Sequence, residues 1–347
     1  MKKIIQGDKK MKKYKNIILC LIMFIAIFFT NQASLIAQEF TFVGGTDQPV
    51  GEHAVYQTQK LMAEKLEAMS QGRIKMNVYT DAQLGDEIAS LESLQIGAQD
   101  FLTAQFSNLA TFVPVYGFFS LSYLFEDYEH CFNVIQDPEF NRLIQEEMEK
   151  ANVGLKLLTP TISAARYLYT RNRPINSVED LSGCKIRVMA APTESKAWSA
   201  MGAMPVPMAS SEIYTAIQQR VIDGAESGIQ VIYAKKFYEV APYINLTRHQ
   251  FSIAGIVMSK INWDKLPADV QEMVQIAANE AAMEASKITM VNDDKYIDLL
   301  SKEPNVQIIQ TDTTGFIERV KPLHEEIAKE LKAEEFLKII RKYSKIK

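Results

Sequence analysis

The sequence predicts an α/β protein made of two units. Three observations carry this expectation: residues 40–104 read as β-α-β-α-β, strand–helix alternation resumes over residues 154–227, and a long helical run follows Pro267. The chain has 347 residues, 47% hydrophobic and 10% aromatic, which is enough apolar side chain for cores of that size and too much for a disordered chain.

The elements follow in order. Phe40-Thr41-Phe42-Val43 is a short apolar strand that ends at Gly44-Gly45. A helix with Val55, Met62, Leu66 and Met69 on one face comes next and closes at Gly72. Ile74, Met76 and Val78 alternate with polar neighbours, which is strand periodicity. A helix carrying Ile88, Leu91 and Leu94 stops near Gly97, and residues 100–104 form the third strand. This order implies a parallel sheet with helices on both faces. After a helical middle region, residues 154–158 read as a strand, and Tyr167 and Tyr169 suggest strand around Arg166. Ile186 and Val188 flank Arg187 in another, so Arg187 faces opposite them. Pro192 opens a helix that ends at Gly202, and Pro205-Val206-Pro207-Met208 is extended, as prolines allow at a sheet edge or strand start. Ser210 or Ser211 caps a helix running to Val221, and Asp223-Gly224 turns into Ala225-Glu226-Ser227. From Pro267 the pattern continues to about Leu300. It is either one helix of about 50 Å that crosses both units, or two helices broken near Asn292-Asp293-Asp294.

Lys12, Lys13 and Lys15 precede an unbroken apolar run, Ile17 to Phe29, followed by small residues at Ala33 and Ala37. The run suits a signal-peptide core and falls short of the roughly 20 residues of a spanning helix. The expectation is a leader over residues 1–37 cleaved near Ala37; an uncleaved anchor is the alternative. Of 38 basic and 42 acidic residues, seven Lys and one Asp lie in this stretch, so the remainder carries a net charge of −10. An acidic chain without a basic block excludes phosphate-backbone binding, and with it nucleic acid.

No Gly-x-Ser-x-Gly, phosphate-loop or His-Glu-x-x-His pattern occurs, and His53, His130, His249 and His324 form no metal-ligand spacing. The residues therefore imply no cofactor, no metal and no catalytic constellation. Cys131 and Cys184 are either a disulfide or two buried thiols. Ligands of open α/β sheets bind beyond the carboxyl ends of strands, which nominates Thr46-Asp47, Gln105, Arg187 and Glu226-Ser227. Arg187 is the one cation at these ends. Out of water its guanidinium must meet an anion, either an acid of the protein or a ligand.

Several segments then resemble a known family. They are Gln83-Leu84-Gly85, residues 114–130 (PVYGFFSLSYLFEDYEH), Arg173-Pro174-Ile175 leading to Asp180-Leu181-Ser182-Gly183, Lys185-Ile186-Arg187-Val188, residues 212–219 (EIYTAIQQ), Asp223-Gly224-Ala225-Glu226, Lys236-Phe237-Tyr238-Glu239-Val240 and Trp263-Asp264-Lys265-Leu266-Pro267. Their order and spacing resemble the extracytoplasmic solute receptors of tripartite ATP-independent periplasmic (TRAP) transporters.

The resemblance implies a periplasmic-binding-protein-like fold: two α/β domains with a hinge, a ligand cleft and a long helix spanning both. It implies domain I from residues 38–164 with 253–292 and domain II from 165–252 with 293–347. It implies a periplasmic monomer that closes on an organic acid, catalyses nothing and delivers its ligand to membrane subunits. Arg187 matches the arginine that clamps the ligand carboxylate, and Arg166 a second, less constant one. Gln105 falls at a polar contact after the third strand, and Thr46 and Asp47 on a loop that touches ligand. Ser227 and Ser210 stand where many members carry Asn and Phe. That makes this corner more hydroxylic and points first to a sugar acid such as a uronate. A C4-dicarboxylate, with Arg166 taking its second carboxylate, is the runner-up, and a sensory receptor on the same fold a further alternative. Arg187, Arg166, Ser210 and Ser227 are expected on one wall and Thr46, Asp47 and Gln105 on the other. Glu226 is expected to hold Arg166 or the hinge. Trp198 and Met189 belong either to the cleft or to the core.

Overall fold

A computed structural model describes residues 38–345; the expected leader and its cleavage near Ala37 lie outside them. Strand β1 (Phe40–Gly45), helix α1 (Ala54–Met69), β2 (Ile74–Tyr79), α2 (Glu87–Gln95) and β3 (Phe101–Gln105) follow the expected order. β1 lies parallel to both β2 and β3. α2 starts where the Asp86 side chain accepts the Ala89 N–H, satisfying one of the donors a helix start leaves open. The apolar face of α1 holds Val55, Met62 and Leu66 but not Met69, which is exposed in its last turn.

A middle region of α3 (Phe106–Leu109), a 3₁₀ turn (Pro114–Ser120), α4 (Tyr128–Ile135) and α5 (Pro138–Ala151) leads to β4 (Leu155–Thr170). The second half contains β5 (Lys185–Val188), α6 (Pro192–Ala200), β6 (Met204–Pro207), α7 (Ile213–Gln218), β7 (Gly224–Gly228) and α8 (Ile229–Ala234). Then come β8 (Tyr243–Ser259), α9 (Lys260–Trp263), α10 (Ala268–Met290), α11 (Asp293–Ser301), β9 (Gln307–Ile309), α12 (Thr314–Leu331) and α13 (Glu334–Lys342). β5 is parallel to β6 and β7, and β6, with its two prolines, takes the edge.

The two halves do not have separate sheets. One mixed sheet runs in the order β2-β1-β3-β8-β4-β7-β5-β6, with β9 beside β8. Its centre is the antiparallel pair β4 and β8, 16 and 17 residues long, which runs through both halves. The strand expected at residues 154–158 is thus the first part of β4. The pair slips register at Leu157/Thr159, Ile162/Ala164 and Arg166/Leu168. Such irregularities bend a strand and let the two halves of the sheet take different directions.

The helical run after Pro267 is two helices. α10 ends at Met290, Val291 stands 76% exposed at the break, and α11 begins at Asp293. The break has a cause: the Asp293 carboxylate accepts hydrogen bonds from the Tyr128 and Tyr167 hydroxyls and the Gln230 amide, at 2.9–3.2 Å. A buried carboxylate held by three side chains fixes the start of α11 in place. α10 packs on α1 and on the first-half strands, with Val270, Val274, Ala277 and Ala281 against Phe42, Met62, Leu66 and Ile74. α11 packs on α8 in the second half. The run therefore reaches both halves as two helices in place of the single long one expected.

Cys131 and Cys184 are both free and buried, so the expectation of two thiols holds against the disulfide. Ser210 opens a 3₁₀ turn instead of capping a helix, and its hydroxyl is used elsewhere.

Candidate functional site

β3 ends at Gln105, opposite Ala254 of β8, which in turn stands opposite Thr161 of β4. β7 runs the other way and ends at Gly228, opposite Arg166 of β4. The carboxyl ends of the two parallel strand groups therefore face each other across residues 162–165. Gly228 is needed at this junction, since a Cβ there would lie 2.6 Å from the Ala164 Cβ. Over this floor lies a cavity of about 390 Å³. The first half supplies Asp47, Gln48, Glu87, Gln105 and Asn108, the floor Ser163, Ala164 and Arg166, and the second half Arg187, Met189, Ser210 and Ser227.

Six of the seven expected residues line it. Thr46 does not: its hydroxyl accepts the Gln48 N–H at 3.0 Å and shapes the loop. Met189 is a cleft residue, whereas Trp198 is buried against His249 in an edge-to-face contact.

The two arginines differ sharply. Arg166 spends its fork on Glu226: Nε and Nη2 donate to the two carboxylate oxygens, and Nη2 also donates to the Glu226 carbonyl at 3.0 Å. Both residues are buried. Burial pushes Glu226 up, but Arg166 and His249 more than reverse it, so its carboxyl sits well below the usual carboxylate range. His249 approaches the same carboxylate at 3.5 Å, and burial keeps its own pKa low. Arg187 is 4% exposed, and its Nε donates to the Met208 carbonyl at 2.9 Å. Among the described residues its terminal nitrogens make no hydrogen bond; the nearest carboxylate, Glu226, is 3.8 Å away. A guanidinium anchored at Nε with its outer edge unbonded is set to take a carboxylate through two parallel bonds.

The opposite wall offers acceptors. Gln105 donates its amide to Ser163 at 2.6 Å, and its amide oxygen, like that of Gln48, is buried with no partner among the described residues. Buried acceptors without donors are costly, and ligand hydroxyls would satisfy them. Two buried carboxyls sit close by. Burial, then the Asp47 charge, push Glu87 up to about 8; burial, then the Glu226 charge, do the same for Glu194. Glu87 accepts the Gln105 N–H at 2.6 Å and Glu194 the Met189 N–H at 3.2 Å. Strand-end reasoning missed Glu87, Gln48 and Asn108, which enter on loops and helix starts without a local pattern. It also missed Lys235, whose ammonium donates to the Ser210 hydroxyl at 2.8 Å and lies 3.7 Å from Asp47.

Glu87 and Glu194 predict a pH dependence. The folded state holds both protons at neutral pH, while the unfolded chain releases them above about 4.3. Their stabilising effect is complete below that value and is lost as pH rises through about 8. Calorimetric melting should show stability falling between pH 5 and 9 by on the order of a few kcal/mol per group. A combined Glu87→Gln/Glu194→Gln variant should flatten the slope; an unchanged slope would refute the assignment.

A family model described as bacterial extracellular solute-binding protein, family 7, matches residues 48–331. The sialic acid-binding periplasmic protein SiaP of Vibrio cholerae is 31% identical over 303 residues, 87% of this chain and 92% of that one. A TRAP periplasmic solute-binding protein from a Sulfitobacter species, solved with bound α-D-taluronate, superposes with a TM-score of 0.82 at 29% identity, covering 87% of this chain and 97% of the other. A counterpart from Citrobacter koseri with bound D-glucuronate gives 0.80 at 28%, covering 88% and 99%. With a two-half α/β fold, a cavity at facing strand ends and this extent of similarity, the chain belongs to the family 7 extracellular solute-binding proteins, the solute receptors of TRAP transporters.

Proposed function

We propose that this receptor binds a singly charged, polyhydroxylated acid of the uronate type in the cavity between its halves. The observation that carries the reading is the contrast between the arginines. Arg187 has an unbonded edge for one carboxylate, whereas the Arg166 fork is filled by Glu226. A C4-dicarboxylate would need a second unoccupied cation, so the runner-up loses its support. The partnerless amide oxygens of Gln48 and Gln105 and the hydroxyls of Ser163, Ser210 and Ser227 suit a chain of ligand hydroxyls. The relatives solved with taluronate and glucuronate agree in ligand class. The basic, apolar leader of residues 1–37 is read as an export signal, which sets the protein outside the cytoplasmic membrane as the soluble, monomeric partner of TRAP membrane subunits.

Binding proceeds without chemistry, by closure of the halves about the β4–β8 pair and the break before α11. Contacts made to both walls only in the closed form drive that closure. Titration calorimetry with D-glucuronate should give one saturable site and a raised melting temperature. The ligand should be recovered unchanged after prolonged incubation. Product formation at a rate proportional to protein would overturn the receptor reading in favour of an enzyme.

A further inference from the structure

Beside the cleft stands a third cation, Lys235, largely covered by its neighbours. Lys235 caps the C-terminal end of α8 in the second half, and its side chain is 14% exposed. Its ammonium donates to Ser210 on its own half and lies 3.7 Å from the Asp47 carboxylate on the other. Asp47 is 8% exposed and accepts the Gln48 side-chain amide at 2.9 Å. The loop that carries Asp47 is itself fastened. The His53 ring meets the Pro49 carbonyl at 2.6 Å, and the Gln57 amide donates to the Gly51 carbonyl at 2.6 Å. On the same loop Glu52 reaches Lys295 and the Tyr296 hydroxyl of α11. The loop thus touches the second half at two ionic points, and the one at Lys235 borders the cavity.

We propose that Lys235 is a positioning residue that fixes the charge the cleft accepts: by tying Asp47 to Ser210 across the cleft it neutralises Asp47 and leaves Arg187 as the cleft cation with no hydrogen-bonded carboxylate of its own, so that a singly charged acid is selected over a doubly charged one of equal size. The inference rests on the reading that Arg187 receives the ligand carboxylate. The charges pair off as it requires. Glu226 balances Arg166, and Asp47 balances Lys235. Glu87, beside the same wall, holds its proton at neutral pH because burial raises it. Asp86 and Glu212 line the cavity as well but are not buried, so water screens them. A dianion would bring a second negative charge into a closed cavity that has one cation left for it, and an unpaired buried charge is strongly disfavoured.

D-Glucuronate and galactarate have the same carbon count and carry one and two carboxylates, so they serve as probes. The wild type should favour D-glucuronate. Asp47→Asn frees the ammonium and should move the preference toward galactarate by at least about tenfold. Lys235→Met leaves Asp47 unpaired beside the ligand and should weaken D-glucuronate by about ten- to a hundredfold. The double variant restores the balance and should bind D-glucuronate better than Lys235→Met alone, a non-additivity that a merely structural lysine would not produce. Melting curves establish that each variant folds. An unchanged probe ratio in Asp47→Asn, or strict additivity in the double variant, overturns the proposal. Distances between spin labels on the two halves, measured without ligand, give a separate readout. The closed population should fall with added salt in the wild type and be smaller and less salt-sensitive in Lys235→Met. Equal populations in the two proteins overturn the cross-cleft tie, whereas failure of the wild type to bind either probe would count only against the uronate reading.

Discussion

Arg187→Ala should abolish useful affinity while leaving the protein folded. The guanidinium is buried, anchored by Nε to the Met208 carbonyl, and bare at its outer edge. A ligand carboxylate docked there loses water on closure, so its partner cannot be replaced by solvent. Removing one member of a buried charge pair costs about 3–5 kcal/mol, on the order of a hundred- to several-thousand-fold in affinity. Arg187→Lys should fail nearly as badly, because a point charge cannot reproduce the planar fork. The fold should survive, since among the described residues no carboxylate is hydrogen-bonded to Arg187; its loss even relieves the buried set of one cation. Calorimetry that finds ordinary D-glucuronate affinity in Arg187→Ala, with the melting temperature preserved, would refute Arg187 as the clamp.

The local elements were legible in the sequence wherever one face meets water. β1, α1 and β2 show this, with buried and exposed residues interleaved along each. β8 and the continuity of β4 between its two ends were not, because from Ile162 to Thr170 and from Phe251 to Ser259 every residue is buried, and no period marks a strand covered on both faces. Their pairing joins residues about 90 positions apart, which no window of sequence contains. The two readings of the run after Pro267 were decided by Tyr128, Tyr167 and Gln230, which capture Asp293 from three distant segments. In the cleft, strand ends led to Asp47, Gln105, Arg187 and Ser227, which all line the cavity. Lys235 escaped it because, next to Lys236, it reads as a solvated charge; its burial comes from the wall of the opposite half.

Glu226→Ala should be among the most destabilising single substitutions in the chain. Glu226 is fully buried, and Arg166 donates three hydrogen bonds to its carboxylate and carbonyl. Alanine would strand the Arg166 guanidinium in the middle of the sheet, at a cost of about 3–5 kcal/mol out of a typical total of 5–15. The pair itself need not be a net source of stability, since each ion gave up water to enter. An Arg166→Met/Glu226→Leu double variant, which removes both charges and fills similar volume, should therefore melt well above Glu226→Ala. The pH response follows from the same geometry. Because the carboxyl is held well below its unfolded value of about 4.3, its contribution is complete above that pH and is lost as pH falls through the folded value. The stability that this site supplies should fall progressively as pH drops below about 4.3, and the double variant should lack that fall. Urea denaturation across these variants checks the argument. A Glu226→Ala protein as stable as the wild type would mean that Arg166 finds another anion or water. The claim that Arg166 depends on Glu226 for its counter-charge would then fall.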